Sequence, residues 1–373
     1  MPPNRCSPRT VVTLPLRENE PPHEREVHHH LARSLAVLLG GDYDGDHDPD
    51  RPADQRRPPY FLPSTTIVGA GRARALGIRD GDDLFGGVVD RAFICTKAIT
   101  HPLTTADARR PPGWSDAFAQ RTRDAVLPGW TAFSLDDLRE GARRLLEHGP
   151  ARLKPVNATA GRGQRVIERL QDIDAALAGI DAGELADCGI VVEAHLDRVD
   201  TLSVGQVRVG SLTISYCGTQ RLVDDHRGEA VYGGSSLDVV RGGFDELLAR
   251  ELPDASRRAI EQSRCYDRAA LECFAGLYAS RRNYDVAQGH DAEGRWRSGV
   301  LEQSWRVGGA SAAEIGAMLA LHADPALRAV RACSYEVYGD APHCEGATVL
   351  YAGNDPELGE LTKYVTIEAH GDT

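Results

Sequence analysis

Val11, Val12 and Leu14 form a short apolar run that predicts a first strand, and Val27, Leu31, Leu35 and Leu38 then recur at the spacing of a helix face. Residues 42–58, DYDGDHDPDRPADQRRP, interrupt the pattern and read as a polar loop. Apolar runs over 60–68 and 92–99 predict strands with a short helix between them. RRPPGW (109–114) is punctuation, after which Ser115 caps a helix running to about Leu127, where Pro128-Gly129 ends it. Ser134, with Asp137 three residues on, makes a capping box for a helix striped by Leu135, Leu138, Ala142, Leu145 and Leu146. A strand follows over 151–155. From 190 to 217 the chain is rich in strand-like runs (GIVVEAHL, TLSVGQVRV, LTISYCG), with a tight turn at Val209-Gly210. A helix over about 255–274, strands over 283–288 and 297–304, a helix over about 311–322 and three closing strands (RACSYEVYG, ATVLYAG, YVTIEAH) complete the pattern.

Composition narrows what this α+β chain does. With 373 residues there is enough chain for two or three domains, at about 150 residues each. A formal net charge of -12 argues against a nucleic-acid partner, because phosphate backbones call for a basic face. The eight cysteines show no C-x-x-C spacing, which fits neither zinc nor a disulfide framework. No apolar run reaches the ~18 residues of a membrane span, and the N-terminus lacks a signal-like apolar stretch, so a reduced, cytoplasmic protein is expected. Two suggestive clusters read as ordinary surface. The aspartates of 42–50 miss the calcium-loop pattern, with glycine fourth rather than sixth and no closing Glu. His28, His29 and His30 point in different directions on a helix, so they make poor joint metal ligands.

Three stretches carry chemistry. RLKPVNATAGRGQRVI (152–167) is a strand, a loop with Gly161 and Gly163, and a second strand. It reads as a simple turn or as a loop whose amides approach phosphate, with Lys154 at its mouth. In GIVVEAHLDRVDTLSV (189–204) an apolar strand ends at Glu193 and Asp200 lies seven residues on. This is either an edge strand with solvated acids or a segment wrapping a nucleotide. In RRNYDVAQGHDAEGRWRSGVLEQSW (281–305) two strands joined by a turn bring Asp285 beside Glu302. Glu302 and Ser304 share a face and Gln303 points away. Carboxylates on adjacent strands suit Mg²⁺, which takes carboxylates plus substrate phosphates.

In this order the three stretches resemble the ATP-grasp superfamily, over roughly residues 115–322. The wording of TKAITHPL, VYGGSSLDVVRGG, SRRNYDVA and LEQSWRVGGAS is similar to one bacterial family within it, domain of unknown function 3182. The resemblance implies an ATP-grasp fold, two α+β subdomains holding ATP between them, preceded by an α/β domain. The expected division is 1–112, 113–200 with the Gly-rich loop, and 201–373 with the Mg²⁺-binding strands. It further implies that Lys154 contacts ATP phosphates and that Gly161, Arg162 and Gly163 cover them. Glu193 would lie at the adenine and Asp200 at the ribose. Asp285, Glu302 and Ser304 would hold Mg²⁺, and Arg306 would act on the transferred phosphoryl group. Ser304 departs from the superfamily's usual Asn. Lys97 is the lysine upstream of the Gly-rich loop, with Arg121 or Arg123 as substitutes. Arg241, Arg281 and Arg282 are candidates for an anionic substrate or, equally, for surface ion pairs.

The implied activity is that of an Mg²⁺- and ATP-dependent carboxylate–amine ligase proceeding through an acyl-phosphate. Small-molecule or peptide carboxylates and amines would be its substrates, and a homodimer is left open. The alternatives are an ATP-grasp kinase, which stops at phosphoryl transfer, and a non-catalytic nucleotide-binding protein. A Ser/His hydrolase built on His195 or His101 lacks a G-x-S-x-G elbow.

Overall fold

The computed structural model describes residues 8–51, 57–156, 163–225, 228, 230–339 and 344–369. The chain begins with β1 (Thr10–Leu14), α1 (Pro22–Leu38), β2 (Asp42–Asp46) and β3 (Pro59–Pro63), a parallel sheet in the order β2-β1-β3. The expected loop at 42 is therefore partly a strand. Its alternation places Asp42 and Asp44 outward, while the Tyr43 hydroxyl lies 3.3 Å from Thr13 Oγ1. On α1, His28 turns inward to Glu20 (2.8 Å) and His29 to the Tyr43 hydroxyl. The histidines diverge, as their helical spacing requires, but His28 is a buried partner rather than part of the surface.

β4 (Ile67–Val68), α2 (Ala70–Ala75) and β5 (Gly87–Val89) follow. The strand expected over 92–99 is instead a pair of 3-10 turns, Ala92–Cys95 and Lys97–Thr100. Side chains from elsewhere hold its carbonyls. Gln303 donates to Ile94 and Thr96, and Thr131 donates to Ala98. Carbonyls so engaged leave no ladder for a strand.

After α3 (Asp116–Thr122), capped by Ser115, comes a four-stranded antiparallel sheet. It is built from β6 (Gly129–Ala132), α4 (Leu135–Leu146), β7 (Ala151–Pro155), β8 (Arg165–Ile167), α5 (Ile173–Leu177), α6 (Ala182–Cys188) and β9 (Ile190–Ala194), in the strand order β6-β9-β7-β8. Ser134 caps α4 by accepting from the Asp137 amide. Leu138, Ala142, Leu145, Leu153, Ile167 and Val192 form this sheet's own core.

The rest is dominated by an eight-stranded antiparallel sheet, with α7 (Phe244–Leu248) and α8 (Asp254–Cys273) inserted between its strands. Its strands are β10 (Asp197–Val209), β11 (Leu212–Asp224), β12 (Ala230–Arg241), β14 (Arg281–His290), β15 (Trp296–Ser304), β16 (Ala329–Tyr338), β17 (Thr348–Asp355) and β18 (Gly359–Ala369). The order is β15-β14-β10-β11-β12-β16-β18-β17. α9 (Ser311–Ala323) packs with α1 on one face, over Val207, Ile214, Tyr216, Leu237 and Val330. α8 covers the other, over Leu202, Val204, Tyr284 and Val300. β13 (Tyr278–Ala279) leaves this sheet to pair with β5, so the first hundred residues and the last third share a sheet.

Candidate nucleotide and metal site

β14 and β15 pair antiparallel with Asp285 opposite Glu302 and Asn283 opposite Ser304. Side chains directly opposite on one face sit about 5 Å apart at Cβ. Two carboxylates are thus forced together at the end of a buried strand pair. Lys97 Nζ lies 3.0 Å from Glu302 Oε2, and the charges of Arg281 and Lys97 both act on Asp285. Gln220 on β11 donates to Asp285 Oδ1 at 2.8 Å. Burial, and after it the charge of Glu302, push the Asp285 carboxyl up to about 7. Gln303 points to the other face, where its amide holds the turns bearing Lys97 and its carbonyl accepts from Tyr266. The Glu-Gln-Ser triplet therefore presents a carboxylate forward and clamps its lysine partner from behind.

Arg281 is buried and committed. Its Nε and Nη2 grip Glu314 of α9 at 2.8–3.2 Å, and its Nη1 donates to the Ser304 hydroxyl (3.0 Å), the Ser304 carbonyl (3.2 Å) and the Arg306 carbonyl (2.7 Å). Of the two readings open for Arg281, the geometry favours the ion pair, because its three nitrogens are all turned to Glu314, Ser304 and Arg306 inside the core. Arg282 turns to the opposite face and pairs with Asp267 at 2.8 Å. Arg241 donates to the carbonyls of Leu321 and Asp324 at the end of α9 and to that of Leu327. A cation there satisfies helix-end carbonyls and opposes the helix dipole. Neither guanidinium is aimed at the carboxylate pair. Ser304 shares the Glu302 side of its strand, but its hydroxyl accepts from Arg281, which limits what it offers a cation.

Arg306 is partly buried. Its guanidinium donates to the Val307 carbonyl at 2.8 Å and, among the described residues, makes no ion pair. Burial, with the charges of Arg281 and Arg17, lowers its proton affinity. Gly309 lets the following loop close over the site, since a Cβ there would run into the Tyr232 ring. Tyr232 in turn bonds Ser235 (2.6 Å) beneath the loop.

On the small sheet, Lys154 of β7 contacts Glu193 Oε1 of β9, and His101 Nε2 lies 3.1 Å from the other carboxylate oxygen. All three are at most 5% exposed. Burial opposes ionisation of Glu193, yet the Lys154 charge and the His101 hydrogen bond outweigh it and hold the carboxyl down at about 2. Glu193 thus spends its carboxylate on Lys154 and His101, and the amides of Ala194 and His195 are taken by Pro128 and Pro150. An ammonium has three donors, so the contact with Glu193 leaves Lys154 two. Gly163 has φ +69°, with Pro155 3.5 Å from where a Cβ would stand. Gly161 and Arg162 lie outside the described residues. Asp200 is exposed at the start of β10, opposite Gln288 of the large sheet. Arg121 pairs with Glu272 and Arg123 with Asp124, so Lys97 is the upstream cation that reaches the carboxylates.

Sequence reasoning missed Gln220, because only the register of β10, β11 and β14 brings it to Asp285. It also missed His101 as a partner of Glu193. The signal was its place four residues after Lys97.

Among the described residues no group of three or more His, Cys, Asp or Glu is placed to hold a metal. The donor set fits Mg²⁺ nevertheless, because two carboxylates with the remaining ligands from phosphate and water is that ion's usual arrangement.

Residues 11–365 match the model of the family described as protein of unknown function (DUF3182), and the chain belongs to that family. Among solved structures it is similar to phosphoribosylamine–glycine ligase from Thermotoga maritima, with TM-score 0.50 and 15% identity, covering 97% of this chain and 92% of that one. It is also similar to the biotin carboxylase domain of Hydrogenobacter thermophilus 2-oxoglutarate carboxylase in complex with MgADP, ADP and bicarbonate. There the TM-score is 0.50 and the identity 13%, covering 97% and 86% of the two chains. At these identities the likeness shows the fold, which is ATP-grasp. No curated protein matches the sequence. No helix among the described residues is long and apolar enough to cross a membrane.

Proposed function

We propose that this DUF3182 protein is an Mg²⁺- and ATP-dependent ligase that activates a carboxylate as an acyl-phosphate for attack by an amine. The observation that carries the reading is a pair of opposite deficits. Asp285 and Glu302 stand opposite one another with Lys97 paired to Glu302, and Arg306 makes no ion pair among the described residues. Mg²⁺ would meet the first deficit and phosphate oxygens the second.

Asp285 and Glu302 would hold Mg²⁺, with Ser304 a weaker third donor. When bound, the ion would neutralise charge on the terminal phosphates. Lys154 directs its two remaining donors to the phosphate chain, with Gly163 beside it. The Ala194–Asp200 segment, which leads from the small sheet to the large one, lies at the base and ribose. A substrate carboxylate oxygen attacks the γ-phosphorus, the β–γ bridging P–O bond breaks and ADP leaves. Arg306 stabilises the negative charge on the transferring group. The amine nitrogen then attacks the acyl carbon, the bond to phosphate breaks, and the nitrogen loses a proton. Free carboxylates need this activation because hydroxide is a poor leaving group.

The test is calorimetric titration with Mg·ATP, followed by assay of ADP and phosphate release against pools of carboxylates with and without amines. A ligase releases free phosphate when both substrates are present. ADP release that leaves phosphate on a single product identifies a kinase instead. Glu302→Gln is expected to abolish turnover while the denaturation midpoint stays near the parent's. Absence of ATP binding at millimolar Mg²⁺ sinks the proposal.

A further inference from the structure

His101 is a wholly buried imidazole. Its Nε2 lies 3.1 Å from Glu193 Oε2, and its Nδ1 has no hydrogen-bond partner among the described residues. Glu193 is ionised and can only accept, so Nε2 carries the hydrogen of this contact. The ring lies against Gly129, the residue directly opposite Glu193 across β6 and β9. A Cβ at Gly129 would stand 2.7 Å from Nδ1 and from Cε1. The backbone of Gly129 is not in the left-handed region. Glycine is needed there for space, and the space it leaves is filled by this ring.

We propose that His101 is a positioning residue for Lys154, acting through Glu193. Each oxygen of Glu193 has one partner, His101 on Oε2 and Lys154 on Oε1. With His101 in place the carboxylate is pinned at both ends and draws one hydrogen from the ammonium, leaving two for a ligand. Without it, a buried charged oxygen loses its donor. The nearest replacement is a second hydrogen from Lys154, which would turn the ammonium back into the small sheet. The same short segment also carries Lys97, which grips Glu302 on the large sheet. Four residues of 3-10 backbone, about 8 Å at ~2 Å per residue, thus join the lysine that meets phosphate to the carboxylates that meet the metal. The Thr100 hydroxyl fastens the segment to the Leu301 carbonyl at 3.3 Å.

This inference rests on the nucleotide-binding reading above, and the experiment separates the two. Dissociation constants for Mg·ATP are measured by calorimetry for the parent, His101→Leu, His101→Gln, Gly129→Ala, Lys154→Met and the His101→Leu/Lys154→Met pair. Denaturation midpoints are recorded alongside. His101→Leu is expected to weaken ATP binding about tenfold, the scale of one lost buried hydrogen bond to a charged group. His101→Gln, which can present an amide hydrogen to Glu193, is expected to restore most of that loss. Gly129→Ala, which expels the ring without altering any charge, should weaken binding as His101→Leu does. In the Lys154→Met background, His101→Leu should cost nothing further, because its effect runs through the ammonium. Two results overturn the inference while leaving the nucleotide site standing: folded His101→Leu or Gly129→Ala that binds ATP as the parent does, or losses from His101→Leu and Lys154→Met that simply multiply. If His101→Leu fails to fold, His101→Gln and Gly129→Ala still decide the matter. A parent that does not bind ATP ends both proposals.

Discussion

Arg281 offers the sharpest separation of stability from chemistry. Its guanidinium is 1% exposed and Glu314 is wholly buried, joined by three contacts of 2.8–3.2 Å. Replacing Arg281 by Met strands the Glu314 carboxylate in the core beside the Tyr216 hydroxyl and releases the carbonyls of Ser304 and Arg306. Breaking one side of a buried ion pair costs about 3–5 kcal/mol, a large part of the ~5–15 kcal/mol that holds a typical protein together. Urea denaturation is expected to show a loss of about 4 kcal/mol with an unchanged slope. The double variant Arg281→Met/Glu314→Leu removes both charges and should regain most of that loss. ATP turnover should not return with it. The end of β15 and the Arg306 loop would still lack the guanidinium that ties them together, and Arg306 would no longer be held over the site. Two results refute this reasoning: a single variant as stable as the parent, or a double variant with parental turnover. A single variant that keeps its stability but loses substrate affinity would return Arg281 to a role in substrate binding.

Other outcomes follow from the same geometry. Asp285→Asn relieves two like charges held opposite one another, so without Mg²⁺ this variant should be more stable than the parent at neutral pH by denaturant midpoint. It should also lose the added stability that Mg·ATP confers on the parent. Glu193 is held well below the usual carboxyl range, so its contribution to stability is full above about pH 4.5 and is lost as pH falls toward 2. Glu193→Gln should flatten that part of an acid-denaturation curve. Lys97→Met removes the cation paired with Glu302, and apo stability should fall while Mg²⁺ recovers part of it in a thermal-shift titration.

Much of this was legible because regular elements repeat. The stripe of α4, the runs of β7 and β9 and the alternation in β14 and β15 are local signals, and the Asp285–Glu302 pairing follows from a hairpin register. Failures came where the deciding partner was distant. The turns at 92–100 read as a strand, because nothing local reveals that Gln303, two hundred residues on, takes their carbonyls. β12 went unseen because Gly233-Gly234 reads as a loop. In the folded sheet, a Cβ at Gly234 would collide with the Ser334 carbonyl, so glycine is what lets β12 run beside β16. Arg281 and Arg282 read alike, as candidates for an anionic substrate or for surface ion pairs, yet period-two alternation sends one to α9 and the other to α8. A charge pattern states which side chains are present, and only packing determines which of them remain free to act.

The pairing of β13 with β5 carries a consequence for the nascent chain. Residues 278–279 close a sheet begun at 67, and His23 is buried 2.7 Å from Asp355, 332 positions later. While it is being synthesised, the first segment holds an open sheet edge and a histidine whose partner has not yet been made. A ribosome stalled before residue 280 should therefore present a protease-sensitive amino-terminal segment, and resistance should arrive late and all at once, after the final hairpin has emerged. Fragments cut at 112 or 200 would inherit that unfinished edge, which makes the full-length chain the natural unit for expression.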